Sequence, residues 1–319
     1  MMCAMARAAI LGLLVFGLGF PASAKPLIRA NSAATLSYLA NLDYATGQIT
    51  AFHIVNGIAT VISQFKASAI GSTGLGVDRQ GRIYTAVNGV NAKPCSACIE
   101  VFAPHGKLIA QIAPPILPGA PGAPHLSYVS LDDLGDIYIT DSGQQAVYMF
   151  SPGAQGWTGP TIVVQNSQDS QTVASAPNGN TVLVSGGCGF ASIRPYVRTG
   201  TSDRGYTAGA CFQFGTYALF GAAALNDGSV ITPIAHVPNW FAVTSSSGGS
   251  AFELPDPQAQ IGGVACVADC AIAYVSDGHA ENVYAYAQPA KGWLSGAKPA
   301  LVAVYKGFQG LDVIAVPPL

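Results

Sequence analysis

The sequence has 319 residues, of which only 9% are charged, and its formal net charge is −2 at pH 7. Charges of one sign do not cluster in runs, so the composition argues against a nucleic-acid or anionic-membrane partner. Glycine and proline, at 37 and 21 residues, favour short strands joined by turns over long helices.

The N-terminus has the pattern of a secretory leader. Arg7 is followed by an apolar run from Ala8 to Phe20 and by the small residues up to Ala24. This order is typical of a signal peptide with a small-x-small cleavage site. We predict a signal peptide over 1–24 and a single domain over 25–319. The leader run is too short for a comfortable membrane span, so the mature chain is expected in the periplasm or the extracellular space, without a membrane span.

An apolar strand, a tight polar turn and a second strand recur along the chain. The clearest copies are Gly74–Val87 and Val129–Asp141, which share the pattern Asp-x-x-Gly-x-Ile-Tyr. Alternating apolar residues with glycine at the turns predict antiparallel hairpins. Such repeats predict a radial array of small sheets, because one sheet cannot bury both of its faces until neighbours pack on it.

The repeats divide the chain into units. We predict four-stranded units over 75–112 and 128–164, and further units that begin at Thr172, near the turn 226–228 and at Gly263. The outer half of the third unit, 194–214, reads as irregular. Three strands within 36–65 and one strand at 310–316 remain, and together they make a sixth unit. The predicted fold is all-β, a six-bladed β-propeller whose ring is closed by joining the C-terminal strand to the N-terminal blade.

The cysteines beyond the leader occur as local couples: Cys95 with Cys98, Cys188 with Cys211, and Cys266 with Cys270. An even number in an exported protein predicts disulfides. Proximity favours these three pairs, although spacing alone leaves the connectivity open. The alternative for the Cys95–Cys98 couple is a redox or zinc motif. A redox motif normally begins a helix and a zinc site needs a second ligand pair, and the sequence shows neither context.

The Asp-x-x-Gly-x-Ile-Tyr phrase, followed by Thr-Asp or Ser-Asp and a strand such as Val147-Tyr-Met-Phe150, resembles the NHL-type repeat. More broadly it resembles the six-bladed superfamily that contains gluconolactonase and regucalcin. The resemblance extends over nearly all of the mature chain and is most specific in the units 75–112 and 128–150. Propellers of this shape serve as lactonases, lyases, sugar binders and interaction modules, so the resemblance implies a fold and leaves the function to the site.

In the lactonase branch the resemblance implies a divalent cation, held by carboxylate and asparagine side chains where the inner strands begin. Here those positions are neutral: Ser72, Thr73, His125, Gln171, Tyr217, Gln260 and Gln309. A hard cation prefers charged or carbonyl oxygen ligands, so the sequence argues against this chemistry. The amidating lyases, another branch, hold zinc with several channel histidines, and only Pro124-His125 matches that pattern.

These observations favour a monomeric ligand-binding or protein-interaction module with no predicted cofactor. Its ligand is expected to be a small neutral molecule, a glycan or a protein, bound at the channel mouth by His125, Gln171, Tyr217, Gln260 and Gln309. Aromatic rings at Tyr217, Trp240 and Trp157 are candidates for stacking on a sugar. A catalytic set is not identifiable. The alternative is a metal-dependent hydrolase or lyase of the lactonase-like class, which would need a divalent cation.

Several acidic residues lie in predicted turns, and we interpret them as structural. Asp43, Asp141 and Asp277 each end the second strand of a unit, and this repetition predicts that they cap turns. Two other groups are interpreted as solvated turns or polar loops, with a weak metal site as the alternative. The first is Asp132, Asp133 and Asp136 at a hairpin, and the second is His279 beside Asp277 and Glu281.

Overall fold

A computed structural model describes residues 36–43, 45–68, 74–88, 96–154, 156–165, 172–185, 192–199, 205–213, 221–234, 237–267, 270–308 and 310–317. Within these ranges the chain forms β-strands and one short 3-10 helix at Trp293–Ser295. No helix in this part of the chain is long and apolar enough to cross a membrane. The predicted signal peptide lies outside the described residues.

The first half of the chain forms regular antiparallel strands. The N-terminal strands are β1 (Tyr38–Asp43), β2 (Gln48–Val55) and β3 (Ile58–Lys66). The next sheet contains β4 (Leu75–Val77), β5 (Ile83–Asn88), β6 (Ala97–Phe102) and β7 (Leu108–Ile112). The third contains β8 (Leu126–Leu131), β9 (Ile137–Asp141), β10 (Ala146–Gly153) and β11 (Gly156–Gln165). These bounds confirm the predicted strands of the two clearest repeats.

The next sheet is more ordered than its sequence suggested. It contains β12 (Val173–Ser175), β13 (Thr181–Ser185), β14 (Ser192–Thr199), β15 (Gly205–Ala208) and β16 (Phe212–Gln213). Both β15 and β16 pair with β14, at opposite ends of that strand. The interpretation of 194–214 as irregular was therefore wrong over the described part. The outer edge is divided between two short strands, which breaks the alternation that marks one long strand.

The C-terminal half continues the pattern. One sheet contains β17 (Ala223–Ala224), β18 (Val230–Pro233), β19 (Trp240–Ser245) and β20 (Gly248–Glu253). The last strands are β21 (Val264–Val267), β22 (Ile272–Asp277), β23 (Asn282–Ala287), β24 (Ala300–Lys306) and β25 (Val313–Ala315). Strand β25 pairs antiparallel with β1, with Ile314 opposite Asn41. The two chain ends therefore meet in one sheet, as predicted.

The innermost strands follow one another around a ring. Over the described residues β25 contacts β4, and the contacts continue through β8, β12, β17 and β21 back to β25. A single parallel pairing, Lys306 opposite Ile58, links β24 to β3 and merges the first and last sheets into one of eight strands. The ring leaves each sheet flanked by a neighbour on both faces.

The apolar core lies between neighbouring sheets, because side chains alternate between the two faces of every strand. Between β4–β7 and β8–β11, for example, Tyr84 and Ile99 pack with Ile137 and Tyr148. Between β17–β20 and β21–β24, Phe241 and Phe252 pack with Tyr286 and Trp293. The strands therefore need apolar residues on both faces, which explains the high hydrophobic content of the sequence.

The repeated phrase is the hairpin that joins the first two strands of a sheet. Asp132 Oδ1 accepts the Leu134 and Asp136 N–H groups, each at 2.9 Å, and its Oδ2 accepts the Tyr138 hydroxyl at 3.0 Å. Asp78 makes the equivalent bonds to Gln80 N, Arg82 N and Tyr84 Oη, at 2.9, 2.9 and 2.8 Å. The glycine of the phrase has a positive φ in both hairpins, a conformation that side chains disfavour.

Candidate functional site

The inner strands begin on one face of the ring, here called the mouth face, and aspartates hold the turns there. Asp141 Oδ1 accepts the N–H groups of His125 at 2.9 Å and of Gln144 at 3.0 Å. Asp277 Oδ1 accepts those of Gln260 at 3.2 Å and of His279 at 3.0 Å. The turn-capping prediction is confirmed for both aspartates. The same bonds show that His125 and Gln260 occupy equivalent places at the starts of their inner strands.

Asp43 caps the corresponding turn of the first sheet. Its Oδ1 accepts the N–H groups of Ala45 at 2.9 Å and Thr46 at 3.2 Å, and its Oδ2 accepts the Thr46 hydroxyl at 2.7 Å. A carboxylate that accepts several turn amides is well suited to this position. All three recurrent aspartates therefore shape the mouth face.

A cavity of about 560 Å³ opens on the mouth face between the first, fifth and last sheets. Its polar side chains are Asp43, Gln260 and Asp312. Apolar side chains complete the walls: Pro233, Ile234, Pro238, Ile261 and Leu311. Gln260 is exposed, whereas both aspartates are half-buried. A concave, mostly apolar space of this size with a few polar groups is typical of small-molecule sites.

Many backbone donors around this cavity already have partners. The N–H groups of Ile234, Ile261 and Gly278 donate to Trp240 O, Pro238 O and Gln260 O, at 3.0, 3.0 and 2.9 Å. The Asp312 N–H donates to Asn41 Oδ1 at 2.7 Å. The two prolines have no N–H. These backbone groups are therefore engaged within the protein and hold the chain around the cavity in place.

The two carboxylates correct the prediction of a neutral mouth. Strand β25 begins at Val313, four residues after Gln309, just as β21 begins at Val264, four residues after Gln260; Asp312 directly precedes β25, a position that the sequence reading did not consider. Asp43 lies at the end of a second strand, a position that the sequence reading did not place in the mouth. Both line the cavity, and the described lining includes no Lys, Arg or His.

Deeper in the ring the space between the inner strands is narrow. A second cavity of only about 100 Å³ is lined by residues of β4, β8, β21 and β25, among them Tyr128. The Tyr128 hydroxyl accepts the Gly221 N–H at 2.8 Å. Burial, reinforced by the negative charge of Asp312, raises the pKa of Tyr128 to about 12.

His125 lies in an exposed hydrogen-bonded group on the mouth face. Its Nδ1 is 2.9 Å from Ser142 Oγ, which also donates to the His125 carbonyl at 3.1 Å. The Ser127 hydroxyl donates to Ser142 Oγ at 3.0 Å. His125 does not line the cavity that Gln260 lines, so the structure places these two predicted residues on the same face but not in the same cavity.

The other predicted mouth residues, Gln171, Tyr217 and Gln309, lie outside the described residues. Trp157 is an inter-sheet contact, because its ring meets Tyr84 edge-on at 6.0 Å and Arg82 lies 5.4 Å from its centroid. Trp240 begins β19 and is half-buried, beyond the residues that line the cavity.

The acidic hairpin group is buried, so its interpretation as a solvated turn was wrong. Asp132 and Asp136 are 2% and 5% exposed. Arg198 Nη2 pairs with Asp136 Oδ2 at 3.2 Å, and Tyr138 bonds both Asp132 and Tyr206. Burial, reinforced by the charge of Asp136, raises the pKa of Asp132 to about 7.

The His279 side chain contacts Asp256. Its Nδ1 is 3.0 Å from Asp256 Oδ2, while Asp277 beside it is fully buried. Among the described residues no group of three or more His, Cys, Asp or Glu side chains is arranged to hold a metal ion.

The structure brings one of the predicted cysteine couples together. The sulfur atoms of Cys266 and Cys270 meet, with their Cα atoms 4.7 Å apart. Cys95 and Cys188 lie outside the described residues, so the pairs Cys95 with Cys98 and Cys188 with Cys211 stay predictions. The Arg194 side chain donates to Cys211 Sγ at 3.1 Å.

No protein-family model and no curated protein sequence matches the chain. Solved structures do resemble it. A chain of the nidogen/laminin complex has 14% identity and a TM-score of 0.53, and the match covers 88% of this chain and 97% of that one. A protein from Lactobacillus plantarum has 13% identity and a TM-score of 0.51, with coverage of 88% and 99%.

A third similar structure is a protein from Bacteroides fragilis provisionally assigned as a 6-phosphogluconolactonase. It has 13% identity and a TM-score of 0.50, with coverage of 87% of this chain and 84% of that one. At such identities the likeness concerns the fold and not the chemistry. Together with the ring of strands it identifies the architecture: the chain is an all-β protein with the β-propeller fold.

Proposed function

We propose that this chain is an exported six-bladed propeller that binds a small ligand in the mouth cavity. The observation that carries the proposal is the cavity itself, about 560 Å³ with Asp43, Gln260 and Asp312 among apolar walls. Small-molecule sites typically combine an apolar surface with a few oriented polar groups. The mouth of a propeller is also the place where loops from several blades converge.

The six-blade count is supported by the contacts of the inner strands. β25, β4, β8, β12, β17 and β21 follow one another within the described residues. The eight-stranded sheet divides at its single β24–β3 pairing into two groups of four strands. Export is supported by the leader pattern of residues 1–24 and by the meeting of Cys266 and Cys270, since disulfides persist in oxidising compartments.

Hydrogen bonds and close backbone packing hold the walls of the cavity in place, which favours binding without large rearrangement. Asp277 Oδ1 holds the Gln260 N–H, and Gln260 O accepts the Gly278 N–H. Gly262 approaches Asp312 so closely that a Cβ there would lie 2.6 Å from the Asp312 Cα. A preorganised site loses less conformational entropy when it binds.

The test is a ligand screen by thermal melting and calorimetric titration on the mature protein, repeated on Gln260→Trp. The indole should fill part of the cavity and abolish the melting shift given by any true mouth ligand. Gln258→Trp is the matched control, because Gln258 is exposed nearby but does not line the cavity. A ligand that binds Gln260→Trp as tightly as the unmodified protein would place the binding site elsewhere.

Elemental analysis of the purified protein separates this proposal from the metal-dependent lactonase or lyase. The binding module predicts a melting temperature that is the same in calcium, zinc and chelator. One metal ion per chain and a melt that falls in chelator would favour the enzyme.

A further inference from the structure

We propose that the chain has a second binding site, between the β17–β20 and β21–β24 sheets, which takes an apolar amino acid as its zwitterion. The site is a cavity of about 490 Å³ formed by the segments 253–257 and 298–301 and by Tyr286. These segments lie inside the continuously described ranges 237–267 and 270–308. The cavity shares no lining residue with the mouth cavity, so this inference goes beyond the proposed function and does not depend on it.

The first observation is a buried hydroxyl without a partner. Tyr286 lies on β23, is 3% exposed and lines the cavity, and its hydroxyl has no hydrogen-bond partner among the described residues. Its ring packs on Phe241, with the ring centroids 5.3 Å apart. Burial, reinforced by Tyr284, raises the pKa of Tyr286, so the hydroxyl keeps its proton and is a donor. Because an unpartnered buried polar group is costly, a ligand oxygen that accepts this proton is favoured.

The second observation is a pair of side chains with opposite charge in the lining. Lys298 is exposed and makes no hydrogen bond or ion pair within the described part of the chain. Glu253 is also exposed, and its Oε1 accepts the Asn239 Nδ2–H at 3.0 Å. A ligand with a single charge is attracted by one of these side chains and repelled by the other, whereas a zwitterion can pair with both.

The remaining lining is apolar and stiff. Pro255, Pro257 and Pro299, whose φ angles are fixed by their rings, line the cavity together with Leu254 and Leu301. Leu301 is 42% exposed, so a hydrocarbon side chain packed on it removes apolar surface of both from water. A rigid wall also loses little conformational entropy on binding. The cavity thus offers a donor and a cation for a carboxylate, an anion for an ammonium group, and carbon surface for an apolar side chain.

The experiment compares three probes with the same phenyl body by calorimetric titration into the mature protein: L-phenylalanine, 3-phenylpropanoate and phenethylammonium. L-phenylalanine carries both charges, and each of the other probes carries one. We expect L-phenylalanine to bind about fivefold more tightly than either, a factor typical of one charge contact at a partly exposed site. Its affinity should fall as salt is raised, because screening weakens such contacts.

Tyr286→Phe removes only the hydroxyl. It should weaken L-phenylalanine and 3-phenylpropanoate about fivefold and leave phenethylammonium unchanged. The free protein should melt no lower, because the hydroxyl has no internal partner to lose. Lys298→Met should weaken the same two probes, and Glu253→Gln should weaken the two that carry an ammonium group. The matched controls are Tyr274→Phe, at a buried tyrosine of β22, and Lys291→Met, at an exposed lysine; neither residue lines the cavity.

No detectable binding of L-phenylalanine, or binding of a single-charge probe as tight as that of L-phenylalanine, would overturn the proposal. Binding of L-phenylalanine that Tyr286→Phe leaves unchanged would overturn it as well. Loss of that binding on Gln260→Trp would place the ligand in the mouth cavity and contradict a second site. The proposed function is judged separately, by a ligand that is lost on Gln260→Trp and retained on Gln258→Trp.

Discussion

The β8–β11 sheet and the β21–β24 sheet hold two equivalent turns with different side chains. The first is the turn after the second strand of each sheet, and the second is the hairpin between the first two strands. In the β8–β11 sheet, Gln144 is buried and its amide bonds Asp141, Tyr148, Pro115 O and Leu117 N, at 2.7 to 2.9 Å. In the β21–β24 sheet the equivalent residue is Ala280, and Asp277 Oδ2 is buried with no hydrogen-bond partner among the described residues. The His279 side chain, whose Nδ1 lies 3.0 Å from Asp256 Oδ2, links the turn to the incoming chain instead.

The hairpin between the first two strands differs in the same way. The β8–β9 hairpin is held by Asp132 and Tyr138, whereas Cys266 and Cys270 meet in the β21–β22 hairpin. Both pairs of strands are nevertheless antiparallel, and they differ only in a register shift between Leu126 and Val129 of β8. The fold thus specifies where a turn must be fixed and leaves open the side chains that fix it.

The largest expected effect is the pH dependence of stability that the buried Asp132 causes. Burial, reinforced by the charge of Asp136, raises the pKa of Asp132 in the folded protein to about 7 from its ordinary value of 3.8. The folded state therefore keeps a proton that the unfolded chain releases between pH 4 and pH 7. This contribution to stability is complete below pH 4 and is lost as the pH rises through 7, a total of about 4 kcal/mol.

Asp132→Asn should remove this dependence, because the amide does not titrate while its oxygen can still accept the turn N–H groups. The measurement is the free energy of unfolding in urea from pH 4 to pH 8, for both proteins. Parallel curves would contradict this account, because they would show that the pKa of Asp132 is the same in the folded and the unfolded chain.

Gln144→Ala should destabilise the protein by about 2 to 3 kcal/mol, because it leaves Asp141 Oδ2 and two backbone groups buried without partners. Urea unfolding measures the loss. Gln258→Ala, at an exposed site, is the control and should change stability by less than about 0.5 kcal/mol. If Gln144→Ala lowers the free energy of unfolding only slightly, water molecules have taken over the hydrogen bonds of the missing amide.

Removal of both Cys266 and Cys270 as alanines should cost about 2 kcal/mol, since a disulfide across so short a loop restricts the unfolded chain only modestly. Thiol titration of the exported protein gives the independent check. If both thiols react freely in the folded protein, the two cysteines do not form a disulfide. The double variant and the unmodified protein should then have the same melting temperature, both with and without a reducing agent.

Ala280→Gln should stabilise the protein by about 1 kcal/mol, because it introduces the amide that Asp141 has and Asp277 lacks. Ala280→Met supplies a side chain of similar length without the amide and is the control. A gain of the same size from methionine would attribute the effect to packing rather than to the carboxylate.

The sequence was sufficient to predict the strands of the clearest repeats, because alternation and turn glycines are local signals. It also predicted the pairing of the chain ends and the role of Asp141 and Asp277 as caps. The shared place of His125 and Gln260 followed from the same alignment. These features depend on residues near one another in the chain or on a repeat that can be superposed.

The residues that line the mouth cavity were harder to predict from the sequence. The sequence reading considered one residue per inner-strand entrance, four residues before the strand, and therefore missed Asp312, which directly precedes β25 and lines the cavity. Asp43 reaches the cavity only because its sheet adjoins residues 310–312, a contact between the two ends of the chain. The burial of Asp132 and Asp136 likewise depends on Arg198 and Tyr206 from the next sheet, which no local pattern reveals.

The most direct test of ligand binding at the mouth is calorimetric titration of a ligand found in the melting screen into the mature protein and into Gln260→Trp and Gln258→Trp. The cavity described here predicts saturable binding to the unmodified protein and to Gln258→Trp, and its loss on Gln260→Trp. Equal binding to all three proteins would contradict a site at the mouth.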